Sequence, residues 1–243
     1  MFPVTREFLT SSCDILRIAG ACSYFLPRRH KSLVARAICD LKFWRRFMTS
    51  SPTMSFDFIL CRLPVNPHCM ASDASTSVGM AGVLHFGKPC RDYPGVDGLF
   101  WQLAWDEWKG ISGVGLLHNI DANINAAEFL ASLITCETFA KFCSRSLSTI
   151  EVDNSSTKVW LSTSRCTKYP LDRCAQSTHL YMLEQSIKIK AVWIPSEENV
   201  FPDLFSRKHF SMRSRGHLIK GARFVKVRPL WTRVFRHLLM QNV

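Results

Sequence analysis

From Met70 onward the apolar residues stop recurring every three or four positions and run instead in short strand-like blocks, and this change of period restricts the fold most. "CMASDAS", "VGMAGVLHF" and "GLFWQLAW" read as three strands, the last two separated by the turn-rich "GKPCRDYPGVDG". A long helix follows over roughly 122–144, with Phe129, Leu130, Leu133, Ile134 and Phe142 on its apolar face. The strand "STIEVD" comes next, then a short helix "SSTKVWLSTSR" and a second helix near 172–186. The strand "IKIKAVWIP" and a short helix over 200–207 complete the series. Three strands, a helix and then alternating strand and helix predict an α/β fold, a mixed sheet covered by helices.

Upstream the period is helical. "FLTSSCDILRIAGACSYF" and "HKSLVARAICDLKFWRRFM", broken by "LPRRH", predict a helical hairpin over 7–49, and the proline-bearing stretch from Thr49 to Cys69 reads as a linker. Charge divides the chain in the same places: residues 1–64 hold ten Lys/Arg against four acids, 65–207 twelve against fifteen, and 208–243 nine against none. The expected organisation is therefore a helical segment at 1–64, an α/β domain at 65–207 and a basic C-terminal tail at 208–243. A slightly acidic middle between basic, aromatic-bearing arms suits a polyanionic partner, whereas a merely solvated tail is the plainer alternative. No run of 18 apolar residues is available to span a bilayer, and Glu7, Asp14 and Arg17 interrupt the apolar N-terminus as no secretory signal would, so the reading is intracellular, without a membrane partner. Ten cysteines without a C-x-x-C pair read as buried thiols, and Cys61, His68 and Cys69 lack the second half of a zinc site.

Four acids stand out by position. Asp73 closes the first strand, Glu128 sits in the first turns of the long helix, Asp153 closes the fourth strand and Asp203 opens the last helix. In sheets with parallel strands, sites gather beyond the strands' carboxyl ends, where Asp73 and Asp153 would meet. Glu137 serves as an internal control: nine positions after Glu128 it faces the opposite side of an α-helix, and the reading makes it a solvated surface acid. Each acid alone also fits a cap or turn, and "DNSS" at 153–156 is ordinary N-cap chemistry. Four acids converging would repel one another unless hard divalent cations shared the space.

"SDASTSVGMAGVLHFGK", "INAAEFLASLITCETF", "IEVDNSSTKVWL" and "AVWIPSEENVFPDLFSR" resemble, in this order, the four motifs of the ribonuclease H domain of retrotransposon reverse transcriptases, most of all those of DIRS-like elements. The resemblance covers Asp73 to Arg207, about 55% of the chain. "ILRIAGACSYFLP" and "LKFWRRFM" are similar, less specifically, to the helical connection that precedes that domain.

The resemblance implies a ribonuclease H-like fold: a five-stranded mixed sheet, its first three strands antiparallel, with helices on both faces. It implies that Asp73, Glu128, Asp153 and Asp203 are catalytic and hold two magnesium ions, with manganese as the alternative metal. The implied reaction is hydrolysis of the RNA strand of an RNA–DNA hybrid, leaving 5′-phosphate and 3′-hydroxyl ends. Asn154 and Ser75 are the candidates for meeting substrate, with N-capping as the competing role for Asn154. Sensing the 2′-hydroxyl from the minor-groove side would fall to backbone groups and Glu128.

Departures from the family pattern are local. Pro202 precedes the last acid where small residues are common, Ala81 stands where glycine is frequent, and no histidine lies between Trp193 and Asp203. No paired-aspartate polymerase motif occurs, so a reverse transcriptase polymerase chain would be a separate partner. The rival reading is a catalytically decayed transposon fragment that only binds nucleic acid or contacts a subunit. An integrase-like nuclease fits less well, because such sites use three acids at other spacings and lack "IPSEENVFPDLFSR".

Overall fold

The computed structural model describes residues 62–112, 120, 123–166, 169–208 and 221–227. Contacts divide the chain after Thr53, and every described residue belongs to the second unit. The helical hairpin expected at 7–49 and most of the basic tail lie outside the described residues.

The strands are β1 (Val65–Ala74), β2 (Gly79–His85), β3 (Gly98–Ala104), β4 (Leu147–Val152), β5 (Lys188–Trp193) and β6 (Ala222–Phe224). The helices are α1 (Trp105–Ser112), α2 (Ile124–Cys143), α3 (Ser155–Thr163), α4 (Tyr169–Glu184) and α5 (Val200–Arg207). β1, β2 and β3 form an antiparallel meander, while β1 with β4, β4 with β5 and β3 with β6 pair in parallel. The resulting order, β5-β4-β1-β2-β3-β6, puts the earliest strand in the middle of a mixed sheet.

Alternation along the strands sorts two cores. Met70, Met80, Leu84, Leu99 and Trp101 join the large cluster under α2, whereas Ala71, Ala81, Val83 and Phe100 join a small one around Phe205 of α5. Neighbours such as Met70 and Ala71 point to opposite faces, so α2 and α5 cover opposite sides of the sheet. A side chain at Gly82 would collide with the Thr135 hydroxyl and the Trp101 indole. Its absence lets α2 come close enough for Trp101 Nε1 to donate to Thr135 Oγ1 at 3.1 Å. On the other face Phe100 and Phe205 stack at 4.5 Å with their planes 7° apart.

Several expectations need correction. Among the described residues the sheet has six strands rather than five, because Ala222–Phe224, read as part of a basic tail, adds to β3. Gly221, at φ 87, makes the turn into it, its carbonyl accepting from Asp97 N and Gly98 N. β1 begins at Val65, inside the presumed linker; its first residues pair only with β4, through a register irregularity that tolerates Pro67. α1 was not foreseen. Trp105 and Trp108, one turn apart, are both buried, with Asp106 and Glu107 in the favourable first turn. Glu137 is no surface acid: it is 8% exposed, and Oε1 accepts from Thr178 Oγ1 of α4 at 2.5 Å. The helical geometry turns it away from Glu128 as expected, but α4 covers that side. Among the described residues, no helix is long and apolar enough to cross a membrane.

Candidate metal centre

Parallel pairing of β1 with β4 brings their carboxyl ends to one edge, and α2 starts above it. Ser72 Oγ and Ser132 Oγ lie 2.8 Å apart across the β1–α2 seam, and Ser132 Oγ donates to the Glu128 carbonyl at 3.0 Å. This seam sets Glu128 beside Asp73. One carboxylate oxygen each from Asp73, Glu128 and Asp153 falls within 4.8 Å of the others, although 80 residues separate the first from the last.

These acids disturb one another. Burial pushes the Asp73 carboxyl up to about 6, against the pull of a hydrogen bond from Ser206 and with the fields of Asp153 and Asp203 adding to the rise. Burial likewise raises Glu128 to about 8, helped by Asp153 and Asp73 and opposed by a hydrogen bond from Asn154. Two carboxyls therefore keep protons in a pH range where isolated ones are ionised.

Asp203 stands apart from this trio. Its field reaches Asp73, but its Oδ1 accepts from Arg207 Nε at 2.5 Å, one turn along α5. Asn154 caps α3, its Oδ1 accepting from Thr157 N at 3.1 Å, while its Nδ2 donates to Asn125 Oδ1 at 2.7 Å. Asn154, not Asp153, thus occupies the N-cap. Ser75 is buried and organises the β1–β2 turn: its hydroxyl donates to the Ser206 carbonyl at 2.7 Å and accepts from Val78 N and Gly79 N at 3.1 and 3.2 Å.

Sequence reasoning passed over three residues that hold the site. Ser206 Oγ donates to Asp73 Oδ2. Asn199, 1% exposed, donates from Nδ2 to the Ser72 carbonyl at 3.2 Å, so α5 is tied to β1 on either side of Asp203. Trp193 Nε1 donates to the Asp153 carbonyl at 2.8 Å. All three stand in the stretch "VWIPSEENVFPDLFSR", where the period of α5 would already have put Ser206, three residues after Asp203, on a neighbouring face.

The donor set suits a hard divalent cation: three carboxylate oxygens from three elements, close enough for ligand distances of about 2.0–2.6 Å to a shared ion, with their repulsion relieved by positive charge. Asp203, whose Oδ1 holds Arg207, is not among these three. No family model, curated protein or solved structure matches the chain.

Proposed function

We propose that the chain is a divalent-metal-dependent nuclease of the ribonuclease H type, hydrolysing the RNA strand of RNA–DNA hybrids. The observation that carries this reading is the meeting of Asp73, Glu128 and Asp153 within 4.8 Å at the carboxyl edge of a mixed sheet. The strand order β5-β4-β1-β2-β3, with an antiparallel meander and parallel β4 and β5, is compatible with a ribonuclease H-like sheet, β6 being an addition at its edge.

Asp73, Glu128 and Asp153 would hold magnesium or manganese, with Asp203, whose Oδ1 holds Arg207, as a ligand of the second ion. Bound in pairs, such ions activate a water and stabilise the departing 3′-oxygen. The chain's own part is to keep the carboxylates converged: Ser206 fixes one oxygen of Asp73, Trp193 anchors the peptide of Asp153, and the Ser72–Ser132 seam sets the height of Glu128. The proton on Glu128 must leave for it to bind a cation, so metal uptake should strengthen as pH rises towards 8.

The test is purified full chain on labelled RNA–DNA hybrid, duplex DNA and duplex RNA, with magnesium or a chelator. Cleavage of the hybrid's RNA strand alone, abolished by chelation, is the expected result. Cleavage of duplex DNA, or none of the hybrid at any divalent concentration, would refute it.

A further inference from the structure

Among the described tryptophans one is placed unlike the rest. Trp101 and Trp108 are fully buried, Trp105 nearly so, and Trp160 packs edge-on against Phe129. Trp193 keeps 48% of its surface exposed at the last position of β5. Register sets it opposite Val152, the residue before Asp153, and its Nε1 donates at 2.8 Å to the Asp153 carbonyl. The indole is thus held by its polar edge against the backbone of a metal-site residue, with much of its apolar surface left to solvent.

An exposed indole without a partner leaves a large apolar area in water, and aromatic rings of this kind are the usual platforms for unpaired or splayed bases and sugars. The hydrogen bond fixes the ring's orientation in advance, so little side-chain freedom remains to be lost on contact. Charge argues in the same direction. The acids at this edge repel phosphates, and a contact made through a π-face adds affinity without adding charge.

We infer that Trp193 is a substrate-binding residue: its exposed face packs against the sugar or base of a nucleotide next to the phosphate at the acidic centre. The inference rests on the nucleic-acid reading above and extends it to a site that grips a nucleotide. Through the Asp153 carbonyl, a nucleotide seated on the ring also bears on the backbone that carries a metal-site carboxylate. Trp193 therefore joins substrate seating to site geometry in a single side chain.

The experiment measures binding of full-length protein to a fluorescent RNA–DNA hybrid by anisotropy in chelating buffer, where no cleavage occurs. The hybrids carry one abasic residue, moved stepwise along the RNA strand. Trp193→Ala should weaken binding to the intact hybrid roughly fivefold or more, as expected for losing one stacked base, and Trp193→Phe should recover most of it. Where the ring meets a base, an abasic residue at one or two positions should weaken wild type but leave Trp193→Ala unchanged; where it meets only the sugar, the Trp193→Ala loss should stand with no abasic effect at any position. Melting temperature and its rise on adding magnesium separate contact from scaffolding. Both substitutions lose the Nε1 bond to the Asp153 carbonyl, so any weakening of the magnesium response should be alike in Trp193→Ala and Trp193→Phe while hybrid affinity falls only in Trp193→Ala; loss of the magnesium response with unchanged hybrid affinity overturns the inference. Wild-type affinity untouched by either substitution also overturns it, and leaves the nuclease reading standing. A wild type that does not bind hybrid sinks both together.

Discussion

Asp153→Asn is the sharpest perturbation of the acidic centre, because the amide keeps the side chain's shape and removes one charge. At the 4.8 Å limit of the trio, two unit charges repel by roughly 0.9 kcal/mol in water and roughly 3.5 kcal/mol at an effective dielectric of 20. With Asp73 pushed up to about 6 and Glu128 to about 8, the number of charged neighbours depends on pH. At pH 5 both are largely protonated and the substitution should be nearly neutral. At pH 7 Asp73 is ionised and one repulsion is relieved; at pH 9 two are. The metal-free variant should therefore gain about 1 kcal/mol at pH 7 and about 2 kcal/mol at pH 9, taking the water value for each pair. The sign agrees with linkage. Carboxyls raised above their unfolded values of 3.8 and 4.5 give stability that is full below those values and lost as pH climbs through about 6 and about 8. The wild type should lose metal-free stability over that window, and the variant should lose less. Urea unfolding in chelator at pH 5, 7 and 9 measures this, and repetition with magnesium should stabilise wild type but not the variant. A stability difference that ignores pH, or equal magnesium stabilisation of both proteins, would refute the convergence argument.

Glu137→Gln is the matched control: it should cost about 1 kcal/mol through its Thr178 hydrogen bond and leave the magnesium response intact, as melting curves with and without metal will show. Ser206→Ala removes a donor to the Asp73 carboxylate, worth about 1.5–3 kcal/mol for a charged acceptor, so Asp73 should titrate higher still. Its magnesium midpoint should shift more at pH 6.5 than at pH 8, and equal shifts would exclude Ser206 as a positioning residue. A chain ending at residue 227 loses Arg228, Arg233 and Arg236, so its hybrid affinity should fall and its log–log salt slope flatten by up to about 2.7, at about 0.9 per phosphate contact. A chain ending at residue 207 also loses β6 and should melt lower, since Phe224 packs edge-on against Phe100.

The sequence disclosed most where period and chemistry coincide. The strand at Asp73, the helix carrying Glu128, the strand before Asp153 and the short helix at Asp203 were all legible, because alternation, apolar spacing and cap residues mark them locally. So was the meeting of the first three acids, which follows once β1 and β4 are parallel neighbours. What escaped depends on contacts across long separations. Glu137 looked like any surface acid, because only the packing of α4, some 40 residues later, covers it. β6 could not be told from tail, because three residues of strand carry no period and their pairing with β3 spans more than 120 positions. The pairing of Asp203 with Arg207 is legible as an i, i+4 spacing, but the same spacing fits an acid left to a metal.

The lateness of β6 has a consequence for the chain as it folds. β1 to β5 and both sheet-covering helices are complete by Arg207, yet among the described residues the outer edge of β3 finds its backbone partner only when Ala222–Phe224 docks on it. Until then the domain presents an open strand carrying the apolar Phe100, a template for pairing with the same strand of another incompletely folded chain. Late docking of Ala222–Phe224 therefore bears on solubility: delay in that step should raise the aggregated fraction without altering the mature protein at all.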